Sequence, residues 1–360
     1  MNKPLPKNAL LPSDSDRQKI FYWLKKISSL TAWKRIFHYY QIWANVTENS
    51  IRMADDNGWG DKTAVPHTHY ASILKGLAHC EEGVVRLGKG DKRVFKFDAN
   101  GEFEMAARTL FHWKELINRI EEGENLIDRE HTPLWQEFCD AAMDAYRAWE
   151  ECSMSLLEPR YLEDSAPLVY NDWLIAELKS EINAHVSEDL PSSLREIFIS
   201  TDEYVPCSGI WEPIAADVRK NLIASLLGRK EVPQAPFQIA GTMNYLHGGS
   251  KAPQVLVETP LDYMEINTTW RLLWEDDRYI DGVVQAEESK YRFSQPQKAN
   301  ANERYTTPLE DIQWAETGAI VPVSGKWLLE SELRISSHFN AGDIFPQHQG
   351  RVVRWVLARS

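Results

Sequence analysis

Through residues up to about Leu190, apolar side chains recur three and four positions apart, the spacing that lines one face of an α-helix. The first predicted helix runs from Asp16 to about Leu30 and buries Ile20, Phe21, Leu24 and Ile27. Thr31 can cap a second, with the stripe Ile36, Phe37, Tyr40, Trp43 and Val46, which fades before Asp55-Asp56-Asn57-Gly58. Pro66 suits the start of a third carrying Tyr70, Ile73, Leu74, Leu77 and Val84. A fourth places Phe103, Ala107, Leu110, Phe111, Leu116, Ile117 and Ile120 inside and ends at Gly123. Thr132-Pro133 reads as cap and first turn of a fifth, with the clean stripe Leu134, Phe138, Ala141, Ala145, Trp149 and Cys152. A sixth, Asn171 to Val186, presents Trp173, Leu174, Leu178 and Ile182. Val94-Phe95-Lys96-Phe97 fits either a short strand or an extended connection.

Near Leu190-Pro191-Ser192-Ser193 the pattern changes to short apolar runs separated by Gly and Pro. Strands are predicted at Gln254–Glu258, Thr269–Glu275, Ala319–Val323, Trp327–Leu329, Glu332–Ile335 and Gly350–Leu357, with a helix at Ala215–Leu227 and a polar loop at Ser294–Thr307. One heptad occurs twice: Val205-Pro206-Cys207-Ser208-Gly209-Ile210-Trp211, and Val321-Pro322-Val323-Ser324-Gly325-Lys326-Trp327. Val-Pro favours an extended path, Ser-Gly a turn, and the Trp a buried place in the following strand. Downstream, Ala240-Gly241-Thr242-Met243-Asn244-Tyr245 echoes Ala341-Gly342-Asp343-Ile344-Phe345-Pro346. The expected fold is therefore α+β: a helical bundle over 1–195, then a strand-rich antiparallel domain over 196–360 with an internal duplication.

Composition adds compartment and partner. Fourteen tryptophans in 360 residues are read chiefly as core anchors, and 43% hydrophobic against 26% charged residues is ample for a globular core. The net charge of −13 is spread over both halves, which argues against nucleic-acid binding through a basic face and suits either plain solubility or a basic protein partner. Cys80, Cys139, Cys152 and Cys207 form no metal-like spacing and imply a reducing compartment. No apolar run approaches membrane-spanning length and the first residues lack a signal-peptide core, so a cytoplasmic location is expected, without membrane association.

Candidate chemistry is sparse. His67-x-His69 lacks a third ligand, and no metal or cofactor is expected. Cys207 and Ser208 resemble nucleophiles with His247 as base, but Val323 replaces Cys207 in the second heptad, which favours a structural turn. Gly248-Gly249-Ser250-Lys251 lacks phosphate-loop spacing. The carboxylates Glu275, Asp276, Asp277, Asp281, Glu287 and Glu288 supply acid–base candidates, with Arg278 an immediate ion-pair partner. No catalytic residue is assigned, and an enzyme is not expected.

The stretches SGIWEP at Ser208–Pro213, MNYLHGGSKAP at Met243–Pro253 and WRLLWEDDRYIDG at Trp270–Gly282 resemble the immunity protein 71 and 72 families of bacterial polymorphic toxin systems. The likeness covers roughly Val205 to Arg359, behind a less distinctive helical half. It implies a protein that binds and blocks a cognate toxin, often one delivered by type VI secretion. With no export signal, that toxin should act in the cytoplasm and carry a basic surface. An enzyme that reverses toxin damage and a secretion-system adaptor are the alternatives. The expected contact residues are Tyr245, His247, Glu275, Asp276, Asp277, Arg278 and Tyr279, with function concentrated in Ala215–Pro253, where the two copies differ.

Overall fold

The computed structural model describes residues 5–97, 101–124, 127–159, 165–180, 190–191, 196–215, 233, 235–295, 314–329 and 332–358. They fall into two compact units, Met1–Gln297 and Lys298–Ser360. The expected division near residue 195 lies inside the first.

Helices α1 (Asp14–Ile27), α2 (Leu30–Asp56), α3 (His67–Leu87), α4 (Glu102–Glu121), α5 (Trp135–Ser153) and α6 (Asp172–Lys179) come first. The strands follow: β1 (Phe198–Ser200), β2 (Gly209–Ile214), β3 (Asn244–Leu246), β4 (Val255–Glu258), β5 (Tyr263–Ile266), β6 (Thr269–Glu275), β7 (Trp314–Glu316), β8 (Gly325–Leu329), β9 (Glu332–Phe339) and β10 (Arg354–Ala358). The chain is thus α+β, with every strand pair among the described residues antiparallel.

The helical core is aromatic. Trp33 of α2 stacks on Phe103 of α4 at 3.8 Å between centroids and meets Trp149 of α5 edge-on at 5.3 Å. Trp43, one face-length further along α2, packs on Phe138, which Trp113 also meets at 4.7 Å. All six of these rings are buried. Such rings bring both large buried area and directional edge contacts.

Several local expectations are corrected. Ser29, not Thr31, caps α2: its Oγ accepts from Ala32 N, which frees the Thr31 hydroxyl to donate to Glu288. Helix α5 begins at Trp135, because Thr132 Oγ1 is engaged elsewhere, accepting from Ala64 N and donating to Asp128 O. In α4 the interior place expected for Phe111 belongs to Trp113, and Phe111 lies outside against the Tyr146 ring. Trp173 of α6 is likewise exposed beside buried Leu174. Val94-Phe95 is neither strand nor extended but part of a short 3-10 turn, Lys92–Phe95, with both apolar side chains buried. The end of the sixth predicted helix and most of Ala215–Leu227 and Ser294–Thr307 lie outside the described residues.

The two heptads prove to be matching parts of one backbone scheme drawn twice. The sheets run β1-β6-β2-β3 and β7-β10-β8-β9. In the first, Ser208 Oγ accepts from Gly248 N at 2.9 Å; in the second, Ser324 Oγ accepts from Ala341 N at 2.8 Å. Val205 exchanges backbone bonds with Gly249 and Ser250, and Val321 does so with Gly342 and Asp343. The pair Thr201 and Thr317 extends the match: each hydroxyl bonds the backbone of the last-paired strand's entry, Thr268 in one and Val353 in the other. Trp270 Nε1 donates to Pro253 O and Trp355 Nε1 to Pro346 O. The left-handed turn residues also correspond, Asp202 with Gly318 and Gly249 with Gly342.

This geometry shifts the downstream echo. His247-Gly248-Gly249-Ser250 is the equivalent of Asn340-Ala341-Gly342-Asp343, so Gly241 is not the counterpart of Gly342. The turn needs a positive φ, which Gly249 (81°) and Gly342 (95°) supply, whereas Gly241 is pressed against the Val255 side chain.

Each sheet buries its Trp face in a separate core, one around Trp211, Trp270 and Leu272, the other around Trp327, Trp355 and Phe345. The opposite faces differ. Ile210 and Tyr245 are buried, with Tyr245 edge-on to Phe95 of the helical core, while their counterparts Lys326 and His338 are exposed. The first sheet is covered on both faces at these positions, whereas the second exposes Lys326 and His338.

If the two sheets are independent copies, Thr317→Val should loosen residues 314–358 by about 1 kcal/mol through loss of its hydroxyl bonds, leaving residues 198–275 unchanged, and Thr201→Val should do the reverse. Amide hydrogen exchange of the full chain measures this, and equal loosening of both regions by either variant contradicts it.

Candidate functional site

Strand β6 ends at Glu275, and of the next four residues Asp276, Arg278 and Tyr279 are buried while Asp277 is exposed. Asp276 is buried and receives the Arg278 guanidinium through two bonds of 2.8 Å, from Nε and Nη2. It also accepts from the Tyr245 hydroxyl at 2.9 Å and faces Lys92 Nζ at 3.3 Å. A bidentate guanidinium–carboxylate pair of this kind is strong and geometrically exacting.

The outer edge of Arg278 reaches the helices. Nη1 donates to Lys25 O at 3.0 Å, and Nη2 donates to Ser28 O and Ser28 Oγ at 3.1 and 2.8 Å. These acceptors lie at the C-terminal end of α1, where carbonyls have no partner within the helix and the dipole favours a cation. Tyr279, held at φ 70°, accepts from Leu30 N at 2.8 Å through its hydroxyl and donates to Glu288. Glu288 in turn accepts from Thr31 N at 3.0 Å and from the Thr31 hydroxyl at 2.7 Å. Leu30 and Thr31 open α2, where backbone N–H groups are unpaired and an anion is favoured. One short segment therefore closes the end of one helix and the start of the next.

Burial alone would raise the Asp276 carboxyl, but the charge and hydrogen bonds of Arg278, with Lys92 and Tyr245, outweigh it and hold the group below the usual carboxylate range. The Arg278 guanidinium, despite burial, is held more firmly protonated by Asp276. Lys92 moves down, because desolvation exceeds the pull of an Asp276 already neutralised by Arg278. Asp276 is thus a fixed anion and not a proton donor.

Of the seven expected contact residues, Tyr245, His247, Asp276, Arg278 and Tyr279 are buried, and Glu275 and Asp277 are exposed. Tyr245 and Tyr279 are therefore interior aromatics engaged by Asp276 and Glu288. His247 is held neutral near neutrality, its pKa lowered to about 4 chiefly by burial against the opposing pull of Glu158. The cleft lined by Glu158, Tyr245, His247 and Ser250 has about 40 Å³, room for about three waters at ~10–15 Å³ each. Glu287 is paired with Lys25 at 2.7 Å and Glu288 is committed to α2. The Cys207 thiol is pushed up to about 11 by burial and by Glu275, so it stays protonated near neutral pH, and Ser208 is occupied by the turn. His67 pairs with Asp55 at 2.9 Å while His69 lies against Trp113, and no cluster of metal-binding side chains occurs among the described residues.

Sequence reasoning passed over the residues that follow. Ile280, Val283 and Val284 are 73%, 56% and 44% exposed. The available signal was three large apolar side chains around the Asp281-Gly282 turn, where polar residues are usual.

Residues 11–167 match the family model described as Immunity protein 71, and residues 191–292 match that described as Immunity protein 72. The chain belongs to these two immunity protein families, joined in tandem. This corrects the expected extent of the likeness: the helical half carries its own family match, and the second match stops at 292 instead of running to Arg359. Comparison with curated proteins and with solved structures gave no match. No helix among the described residues is long and apolar enough to cross a membrane. The family boundaries also explain the network's position. Arg278, Tyr279 and Glu288 lie in the immunity protein 72 segment, and the helix ends they hold lie in the immunity protein 71 segment.

Two outcomes follow. Asp276→Ala should cost about 3–5 kcal/mol by stranding a buried guanidinium, measured by denaturant unfolding, while Asp277→Ala at the exposed neighbouring position should change stability little. The depressed Asp276 pKa means its contribution is complete above the unfolded-state value of about 3.9 and is lost as pH falls through the lower folded value. Unfolding midpoints of wild type should therefore drop in strong acid, and the Asp276→Ala midpoint should lack that component.

Proposed function

We propose that this protein is an immunity protein that neutralises a cognate antibacterial toxin by forming a stoichiometric complex with it, in the cytoplasm. The observation that carries the reading is the tandem match to two immunity protein families. The acidic character of the chain, −13 overall, supports a toxin with a basic surface, because complementary charge raises the encounter rate. Delivery of that toxin by type VI secretion is part of the same proposal.

An inhibitor needs a rigid, complementary face and no reacting groups. Arg278 and Glu288 tie the two family segments together by hydrogen bonds between the β portion and the ends of two helices. Restricting motion before binding lowers the entropy lost on association.

Co-expression with the product of the adjacent gene tests the proposal. Cells should survive in proportion to the immunity protein supplied, up to one copy per toxin, and the pair should co-elute in size exclusion. Absence of both complex and protection rejects the reading. Protection at far less than one copy per toxin would instead indicate an enzyme that reverses damage. Ala replacements for that alternative belong at Glu275, Asp277 and Asp281, since Asp276 is structural.

A further inference from the structure

The stretch after the buried network has the makeup of a binding tip. Three large apolar side chains, Ile280 at 73%, Val283 at 56% and Val284 at 44% exposure, occur within five residues. Asp277 and Asp281 flank them and are exposed, as is Glu275. Arg278, the cation of this stretch, is spent internally on Asp276 and the end of α1. The charge left facing solvent between Glu275 and Val284 is therefore entirely acidic.

The tip is also held in shape. Gly282 N donates to Tyr279 O at 2.9 Å, Asp281 Oδ1 accepts from Val283 N at 3.0 Å, and Gly282 takes a φ of 75°. At its base, the Ile280 backbone rests so closely on Gly90 that a Cβ there would come within 3.1 Å of Ile280 N and Cα. Below that, Tyr279 is fixed by Leu30 and Glu288. Apolar groups exposed on a preorganised turn and rimmed by charge match the anatomy of an interface hot spot, a desolvated apolar centre inside a polar rim.

We infer that Ile280, Val283 and Val284, rimmed by Asp277 and Asp281, are the toxin-docking tip, and that the toxin receives them in an apolar cleft bordered by Lys or Arg. The inference rests on the toxin-binding reading and adds the surface to it. Charge complementarity selects the occupant: a second copy of this acidic chain would bring its own carboxylates against the rim, whereas a basic toxin would neutralise it.

The test uses the full-length protein and, as probe, the purified product of the adjacent gene. Changing Ile280, Val283 and Val284 together to Ser should weaken the complex by at least about 100-fold, mainly through faster dissociation. Asp277→Lys should slow association by about tenfold at low salt and flatten its salt dependence. Leu261→Ser, at an apolar position 94% exposed on the β4–β5 hairpin, should bind as wild type. Because the altered side chains are exposed, thermal unfolding should be unchanged, which separates lost contact from lost fold. Wild-type binding with unchanged affinity in the triple variant overturns this inference alone. Failure of the wild-type chain to bind overturns it together with the proposed function.

Discussion

One guanidinium and one carboxylate set the relation between the helices and the first sheet. Arg278 satisfies carbonyls at the end of α1, and Glu288 with Tyr279 satisfies amides at the start of α2. The signs are those the helix ends demand, cation at the C-terminus and anion at the N-terminus. Ser28 and Ser29 leave only a two-residue break between the helices, so both ends present themselves to a single β turn. Asp276 completes the arrangement, since without it the buried Arg278 would be an uncompensated charge.

That joint explains why a sheet buried on both faces is stable here. Ile210 is buried and Tyr245 meets Phe95 of the helical core, while Trp211 and Trp270 fill the core on the other side. The second sheet follows the same hydrogen-bond scheme with Lys326 and His338 at the positions of Ile210 and Tyr245. Where the first sheet buries an isoleucine and a tyrosine, the second therefore exposes a lysine and a histidine, whose charge and polar ring need water. The copies share a scaffold and differ in what their outer faces are made to meet.

The same joint underlies the proposed docking tip. Burying Asp276, Arg278 and Tyr279 leaves Ile280, Val283 and Val284 exposed beyond a hydrogen-bonded base, with Asp277 and Asp281 exposed beside them in the chain. Rigidity below and apolar side chains above are what a protein needs to seize a partner without paying to order a loop at the moment of contact. The residues on either side of the joint come one from each immunity protein family segment.

Much was legible from the chain itself. The helical stripes, the change of pattern near Leu190, the α+β class and the family resemblance of the second half all follow from local spacing and motif, because periodic burial is written into consecutive residues. The repeated Val-Pro-x-Ser-Gly-x-Trp was also visible, and its Ser and Trp play matching parts in both sheets. What local pattern could not supply was which face of each sheet is covered, which Gly of the first copy matches Gly342, and whether Tyr245, Arg278 and Tyr279 point inward. A tyrosine, an arginine and an aspartate have the same sequence signature whether they line a contact surface or a core. Only the tertiary structure decides, because the partners that make burial tolerable for Arg278 are the ends of helices some 250 residues earlier in the chain.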